Sequence, residues 1–233
     1  NTMKHMGASA TVNIGNAAII EYNDLSDSGL LQSDGALVQS MENQQKNTII
    51  RFNWLHDTEK YGARFDGNGG GDNGKMHNNL IWNTKGGIMI KGNHHQVYNN
   101  TLYNNTGTGS KPYNDIIVLG DVDGHDTGFN ENSIIVSNAA KNIAGHRTRT
   151  DIDPAGLYFG DLDGYRNNNF EEDVLAELLD VPNSPKRLPK PDSSLFIKKQ
   201  GAYYDDPWTA GINWSISDLD TTSDIPYPTP TPT

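Results

Sequence analysis

Apolar residues in this chain fall in short alternating runs, and one arrangement recurs: apolar residue, two residues, Asn, one residue, apolar residue. It reads Ile20…Asn23…Leu25, Ile50…Asn53…Leu55, Met76…Asn79…Ile81 and Val97…Asn100…Leu102, with Ile135…Asn138…Ala140 as a weaker fifth copy. The Asn positions lie 30, 26, 21 and 38 residues apart. That is too irregular for rigid helical repeats and close to one solenoid turn carrying loops of varying length.

After each Asn and a variable loop comes a second run: Gly35-Ala-Leu-Val-Gln39, Gly62-Ala-Arg-Phe-Asp66, Gly87-Ile-Met-Ile-Lys91, Asp115-Ile-Ile-Val-Leu119 and Gly156-Leu-Tyr-Phe-Gly160. Alternation with period two predicts a strand in each. Positions two and four are expected to point inward (Ala36/Val38, Ala63/Phe65, Ile88/Ile90, Ile116/Val118, Leu157/Phe159), leaving positions three and five outside (Leu37/Gln39, Arg64/Asp66, Met89/Lys91, Ile117/Leu119, Tyr158/Gly160). Two strands per turn and an Asn at a fixed corner, its amide able to pair with the next one along, predict a coil of stacked parallel strands.

These repeats, Asn47-Thr-Ile-Ile-Arg-Phe-Asn53 and Val97-Tyr-Asn-Asn-Thr-Leu102 above all, give residues 13–165 a pattern that resembles the right-handed parallel β-helix family of carbohydrate-active proteins. The resemblance implies an all-β solenoid from a secreted, extracellular or periplasmic enzyme of the glycoside hydrolase or polysaccharide lyase type. Residues 1–169 are then the β-helix turns, 170–222 a short helix plus an irregular C-terminal cap, and 223–233 a Pro/Thr-rich linker. Val174, Leu175, Leu178 and Leu179 have helical spacing after Asn169, a suitable N-cap. A cap is needed because an uncovered last turn exposes its core and strand edges.

Composition narrows the function. Hydrophobic residues are 34% of the chain against the usual ~45–50%, with 24 Gly and no Cys, which excludes thiol nucleophiles and Cys-bound zinc. The net charge of -11 argues against a nucleic-acid partner, and no run of apolar residues approaches the ~18 of a membrane span. Residues 51–95 depart from the acidic background. They carry six basic residues (Arg51, Lys60, Arg64, Lys75, Lys85, Lys91) against four acidic ones (Asp57, Glu59, Asp66, Asp72), plus four of the seven histidines. A basic, His-rich stretch in an acidic chain points to a groove for an anionic ligand.

Stacking brings Arg64, Asp66 and Lys91 into one outward column, with Glu21, Arg51 and His77 in a parallel one. Glycoside hydrolysis needs two carboxyl groups flanking the bond. Asp66 is the carboxylate on a rigid strand, Asp57 and Asp72 are its expected partners from flanking loops, and Lys91 or Arg64 would keep Asp66 ionised. Arg51, His56, Arg64, Lys75, Trp82, His95 and Tyr103 are the expected substrate contacts, the aromatic rings by stacking on sugars. An acidic polysaccharide is the expected substrate, a sulfated, fucan-like one being the first candidate. The alternatives are a lyase in which Lys91 or His77 takes a proton from a uronic acid, and a β-helix that binds glycan or forms an adhesin without catalysis. No cofactor is required. Asp121, Asp123 and Asp126 have a calcium-loop-like spacing but lack the twelve-residue loop and closing Glu of an EF-hand, so they read first as an Asx turn.

Overall fold

The computed structural model describes residues 1–7, 9–32, 34–41, 46–66, 71–106, 113–119, 130–152, 166–180, 187–190, 193–197 and 200–202. The predicted strand 156–160, the acidic turn with Asp121, Asp123 and Asp126, residues 67–70 after Asp66 and the linker 223–233 lie outside them. The described chain is a parallel β-solenoid. Its helical elements are a 3-10 turn, Val174–Glu177, and one α-turn, Ser194–Ile197.

Each coil has three faces rather than the two strands expected. The first face is a six-stranded parallel sheet of Ile19–Glu21, Ile49–Arg51, Lys75–His77, Gln96–Tyr98, Ile134–Val136 and Arg166–Asn167. The second face begins directly after the corner Asn, as Asp24–Ser26 and Thr101–Tyr103 and as the first halves of Trp54–Asp66 and Leu80–Ile90. Those two long strands bend and continue into the third face, beside Ala36–Met41 and Ile116–Val118. The middle strand escapes a period-two reading because it is fused to the third.

The bend also changes which residues point inward. Leu37 and Val38 both enter the main core, whereas Ala36 lies in an outer cluster with Tyr61, Met89, Ile117 and Leu119. Two consecutive residues face inside because the chain turns through a corner there. A Cβ on Gly62 would stand 2.5 Å from Ile81 Cγ2, and one on Gly87 2.2 Å from Leu102 Cδ2, so the corner admits no side chain. Among the described residues the other inward assignments hold: Val38, Ala63, Phe65, Ile88, Ile90, Ile116 and Val118 are all core, while Leu157 and Phe159 lie outside those residues. Each large aliphatic so buried stabilises the fold by about 1.5–3 kcal/mol.

The corner between first and second faces is an asparagine ladder. From Asn1 through Asn23, Asn53, Asn79, Asn100 and Asn138 to Asn169, each rung passes a side-chain amide N–H to the side-chain carbonyl oxygen of the next, six bonds over 2.9–3.0 Å. The same oxygen also accepts the backbone N–H of the preceding rung, as Asn79 Oδ1 does from Asn53 at 3.2 Å. The residue before each of the last six rungs is left-handed: Tyr22, Phe52, Asn78, Asn99, Ser137 and Asn168 all have φ of 52–56°. For Tyr22 and Phe52 that conformation is costly. Two hydrogen bonds per rung hold it.

Asn169 is therefore the last described rung and not a helix N-cap. The cap is Asp173, whose side chain accepts from the Leu175 N–H, and the short helix expected after Asn169 shrinks to one 3-10 turn followed by the strand Leu178–Asp180. That strand pairs antiparallel with Arg187–Pro189. Val174, Leu178, Leu195 and Ala202 pack on Trp54, Leu80, Trp82 and Tyr103, so the C-terminal segment covers the outer side of the second face.

Candidate functional site

The third-face strands deliver Arg64, Asp66 and Lys91 to one place, as the register of Phe65 opposite Ile90 requires. Lys91 Nζ lies 2.6 Å from Asp66 Oδ1, and Arg64 reaches Asp66 Oδ2 at 3.2 Å and Asp34 Oδ1 at 2.9 Å. Arg64 Nε donates to Gln39 Oε1 at 2.7 Å. The side chains of Arg64, Asp66 and Lys91 are 4%, 14% and 13% exposed. Three charges in so little water keep their positions only because each is matched. The Arg64 guanidinium holds the Asp34 carboxyl below its usual range. Lys60, also buried, donates to Gln32 Oε1 at 2.8 Å and to the Asp34 carbonyl, and loss of water lowers its pKa.

Asp72 joins this corner through backbone register. Gly71–Asp72 pairs with Gly92–Asn93, so Asp72 stands to Asn93 as Asp66 stands to Lys91. Lys91 and Asn93 are two residues apart, which the chain spans in at most about 7 Å. The backbones of Asp66 and Asp72 are therefore separated by a similar distance. Asp72 Oδ1 contacts His94 Nδ1 at 2.6 Å with both side chains partly exposed. The backbone of Lys46 pairs with that of Asp72 on the other side, and Lys75 opens the first-face strand that follows.

The other proposed site residues lie elsewhere. Asp57 is nine positions before Asp66 on the same strand, beyond the corner at Gly62, and so cannot flank the same bond. It is a turn residue: Asp27, Asp57, Asn83 and Asn104 each follow a ladder Asn by four positions and each has φ of 48–55°. Asn104 donates to Asn83 and Asn83 to Asp57. His56 is buried between Asp57 Oδ2 at 2.6 Å and Asp24 Oδ1 at 2.8 Å. Burial pulls its pKa down, but the two carboxylates outweigh that and raise it, while His56 in turn lowers Asp57.

Trp82 and Tyr103 are 2% and 5% exposed beneath the C-terminal segment. Trp82 stacks on His56 at 4.1 Å and Tyr103 on Trp82 at 6.0 Å, so neither offers an open platform. His95 points into the coil against Phe65, accepting from the Gly74 N–H at 3.0 Å and donating to the Lys91 carbonyl at 2.8 Å. Burial pushes it down to about 4. It is a neutral structural imidazole. Arg51 and His77 share a column on the first face, Arg51 paired with Glu21 at 2.7 Å and His77 stacked on Tyr98 at 4.5 Å. Burial lowers the His77 pKa.

One feature escaped sequence reasoning: a pocket of about 260 Å³ at the opposite side of the coil, lined by Leu102–Thr106, Tyr113, Asp115, Lys141, Asn142 and Asp173–Leu175. Buried Asp115 accepts from Asn105 Nδ2 at 2.9 Å and from the Lys141 N–H at 2.9 Å, yet burial still pushes it up to about 6. Its sequence context, at the start of a strand, gave no signal of this.

Among the described residues no three His, Asp or Glu stand close enough to hold a metal ion, and no helix is long and apolar enough to cross a membrane. No protein-family model, no curated protein and no solved structure matches the chain.

Proposed function

We propose that this chain is the glycan-cleaving domain of a secreted glycoside hydrolase, acting on an acidic polysaccharide at the corner where the third face meets the first. The observation that carries the reading is the Arg64–Asp66–Lys91 cluster beside the Asp72–His94 pair. Two cations within 3.2 Å keep Asp66 ionised, fit to act as nucleophile or base. Asp72, 2.6 Å from His94, is the second carboxyl group the reaction needs, on the side of the leaving oxygen. Lys46, Lys75 and Lys91 border the same corner and draw in an anionic chain, for which a sulfated, fucan-like polymer is the first substrate to try.

A lyase would need Lys91 as a free amine. The 2.6 Å contact with Asp66 instead favours its use as a counter-ion. A purely binding module would present aromatic platforms, and Trp82 and Tyr103 are covered. Incubation with a panel of acidic polysaccharides separates the three. New reducing ends without absorbance from unsaturated uronates support the hydrolase, both signals together indicate a lyase, and retention without either indicates a binding module. Asp72→Asn should retain binding and lose cleavage.

A further inference from the structure

Three segments that carry the charged corner meet on one ring. His95 is wholly buried. Its Nδ1 accepts the N–H of Gly74, two residues after Asp72, at 3.0 Å, and its Nε2 donates to the carbonyl of Lys91 at 2.8 Å. The ring also packs at 5.0 Å on Phe65, the residue before Asp66. Its backbone N–H is held separately, by Ser133 Oγ at 3.1 Å. One imidazole therefore ties the segments of Asp66, Asp72 and Lys91 to a single point.

Only a neutral imidazole of one tautomer makes both ring bonds. Nδ1 must be bare to accept from Gly74, and Nε2 must carry the proton given to Lys91. Burial, which pushes this group down to about 4, keeps it in that form. The backbone beside the ring is shaped to it. Gly92 has φ of +108°, and a Cβ there would stand 2.2 Å from the Gly71 carbonyl oxygen and 2.7 Å from His95 Nε2. Gly92 also pairs with Gly71 in the short sheet that sets Asp72 beside Asn93. The strand pair that spaces the two carboxyl groups and the ring that pins it thus share one position where no side chain fits.

Spacing decides what a pair of carboxyl groups does to a glycosidic bond. Groups ~5–5.5 Å apart retain configuration and groups ~6.5–9.5 Å apart invert it, so a shift of about 1–2 Å alters or stops the reaction. We propose that His95 is the positioning residue of this corner, holding Asp66 and Asp72 at a fixed separation by joining Gly74 to Lys91. The inference rests on the reading of Asp66 and Asp72 as the reacting pair.

The first test needs no substrate. NMR of the intact, nitrogen-labelled chain should show a scalar coupling across the hydrogen bond, from the Gly74 amide nitrogen to His95 Nδ1. His95→Leu keeps a side chain in the coil but makes neither ring bond. In it the amides of Gly74 and of Asn73, which donates to the Asn93 carbonyl, should exchange more than about 10-fold faster, while the first-face amides of Met76 and Val97 stay as slow as before. In cleavage of an acidic polysaccharide kcat should fall about 100-fold with KM within about threefold. His95→Gln, which carries both an acceptor and a donor, should recover most of kcat. Ser133→Ala frees the His95 backbone N–H but leaves the ring bonds, so it should lower stability without moving kcat. Should His95→Leu fail to fold, His95→Asn, whose shorter amide cannot span both partners, takes its place with the same expectations. The proposal is overturned by absence of the coupling, by a uniform loss of protection across the coil, or by an equal fall in kcat in His95→Leu and Ser133→Ala. A chain that shows the coupling and the local change in exchange but cleaves no acidic polysaccharide refutes the reading of Asp66 and Asp72 and leaves the His95 tie standing.

Discussion

The corner between the first and second faces repeats one device on every described coil, whereas the corner between the third and first faces never repeats. The first is built from neutral amides whose donors and acceptors are matched from Asn1 to Asn169. At the second, successive coils present Met41, Asp66 and Lys91 at the end of the third face, with Asp72 and His94 following. A uniform neutral ladder adds stability without creating a special place along the axis. A charge cluster confined to two coils does create one, at the expense of desolvated ions. The contrast separates the scaffold from the proposed site.

The contrast breaks most visibly at the ladder. Asn79→Ala leaves the buried Asn53 backbone N–H without its acceptor, takes one of three acceptors from the Asn53 amide, and strips the Ile50 carbonyl and Asn100 Oδ1 of the Asn79 amide donor. Buried groups so orphaned cost about 1–3 kcal/mol each. A loss of roughly 3–5 kcal/mol in denaturant unfolding is expected, and a loss under about 1 kcal/mol would show that the amide corner does not hold the coil.

A pH titration tests the other corner's interior. His95 stays neutral in the folded chain down to about 4, while in the unfolded chain it takes a proton near 6.5. Between those values the unfolded state binds more protons, so stability from this group is complete above 6.5 and lost as pH falls through about 4. The gap corresponds to roughly 3 kcal/mol. Asp115, pushed up to about 6, tilts the opposite way, complete below 3.8 and lost as pH rises through about 6. Comparison with His95→Gln cancels the Asp115 contribution, and the variant's acid limb should be flatter. Parallel limbs would remove His95 from the account.

Gly87→Ala puts a methyl 2.2 Å from Leu102 Cδ2 and 2.5 Å from the Asp115 carbonyl. Overpacking of this kind costs about 1–3 kcal/mol, read as a lower melting temperature. Smallest of all is Glu21→Gln, which breaks the half-exposed pair with Arg51. It should change stability by no more than about 0.5 kcal/mol. A larger effect would make the first face part of the functional surface.

The repeat made the solenoid legible because Asn23, Asn53, Asn79 and Asn100 recur in a fixed apolar frame, and strand register then brought Arg64, Asp66 and Lys91 together. The three-faced cross-section was hidden because Trp54–Asp66 and Leu80–Ile90 carry two faces in one uninterrupted strand. Asp57 misled because Asp suits a left-handed turn as well as an active site, and its true signal was the shared offset of four from each ladder Asn. Trp82, Tyr103 and His95 misled for another reason. Period two assigns a side of the sheet but does not tell that distant residues, here Val174, Leu178, Leu195 and Ala202, cover the outside. Nor does it apply at His95, which sits in a corner.

The most direct measurement is reducing-end release from acidic polysaccharide by the unaltered chain and by Asp66→Asn, with binding to the same polymer followed in parallel. The account predicts that cleavage falls at least about 100-fold while the polymer is still bound. Cleavage by Asp66→Asn within twofold of the unaltered chain would contradict it.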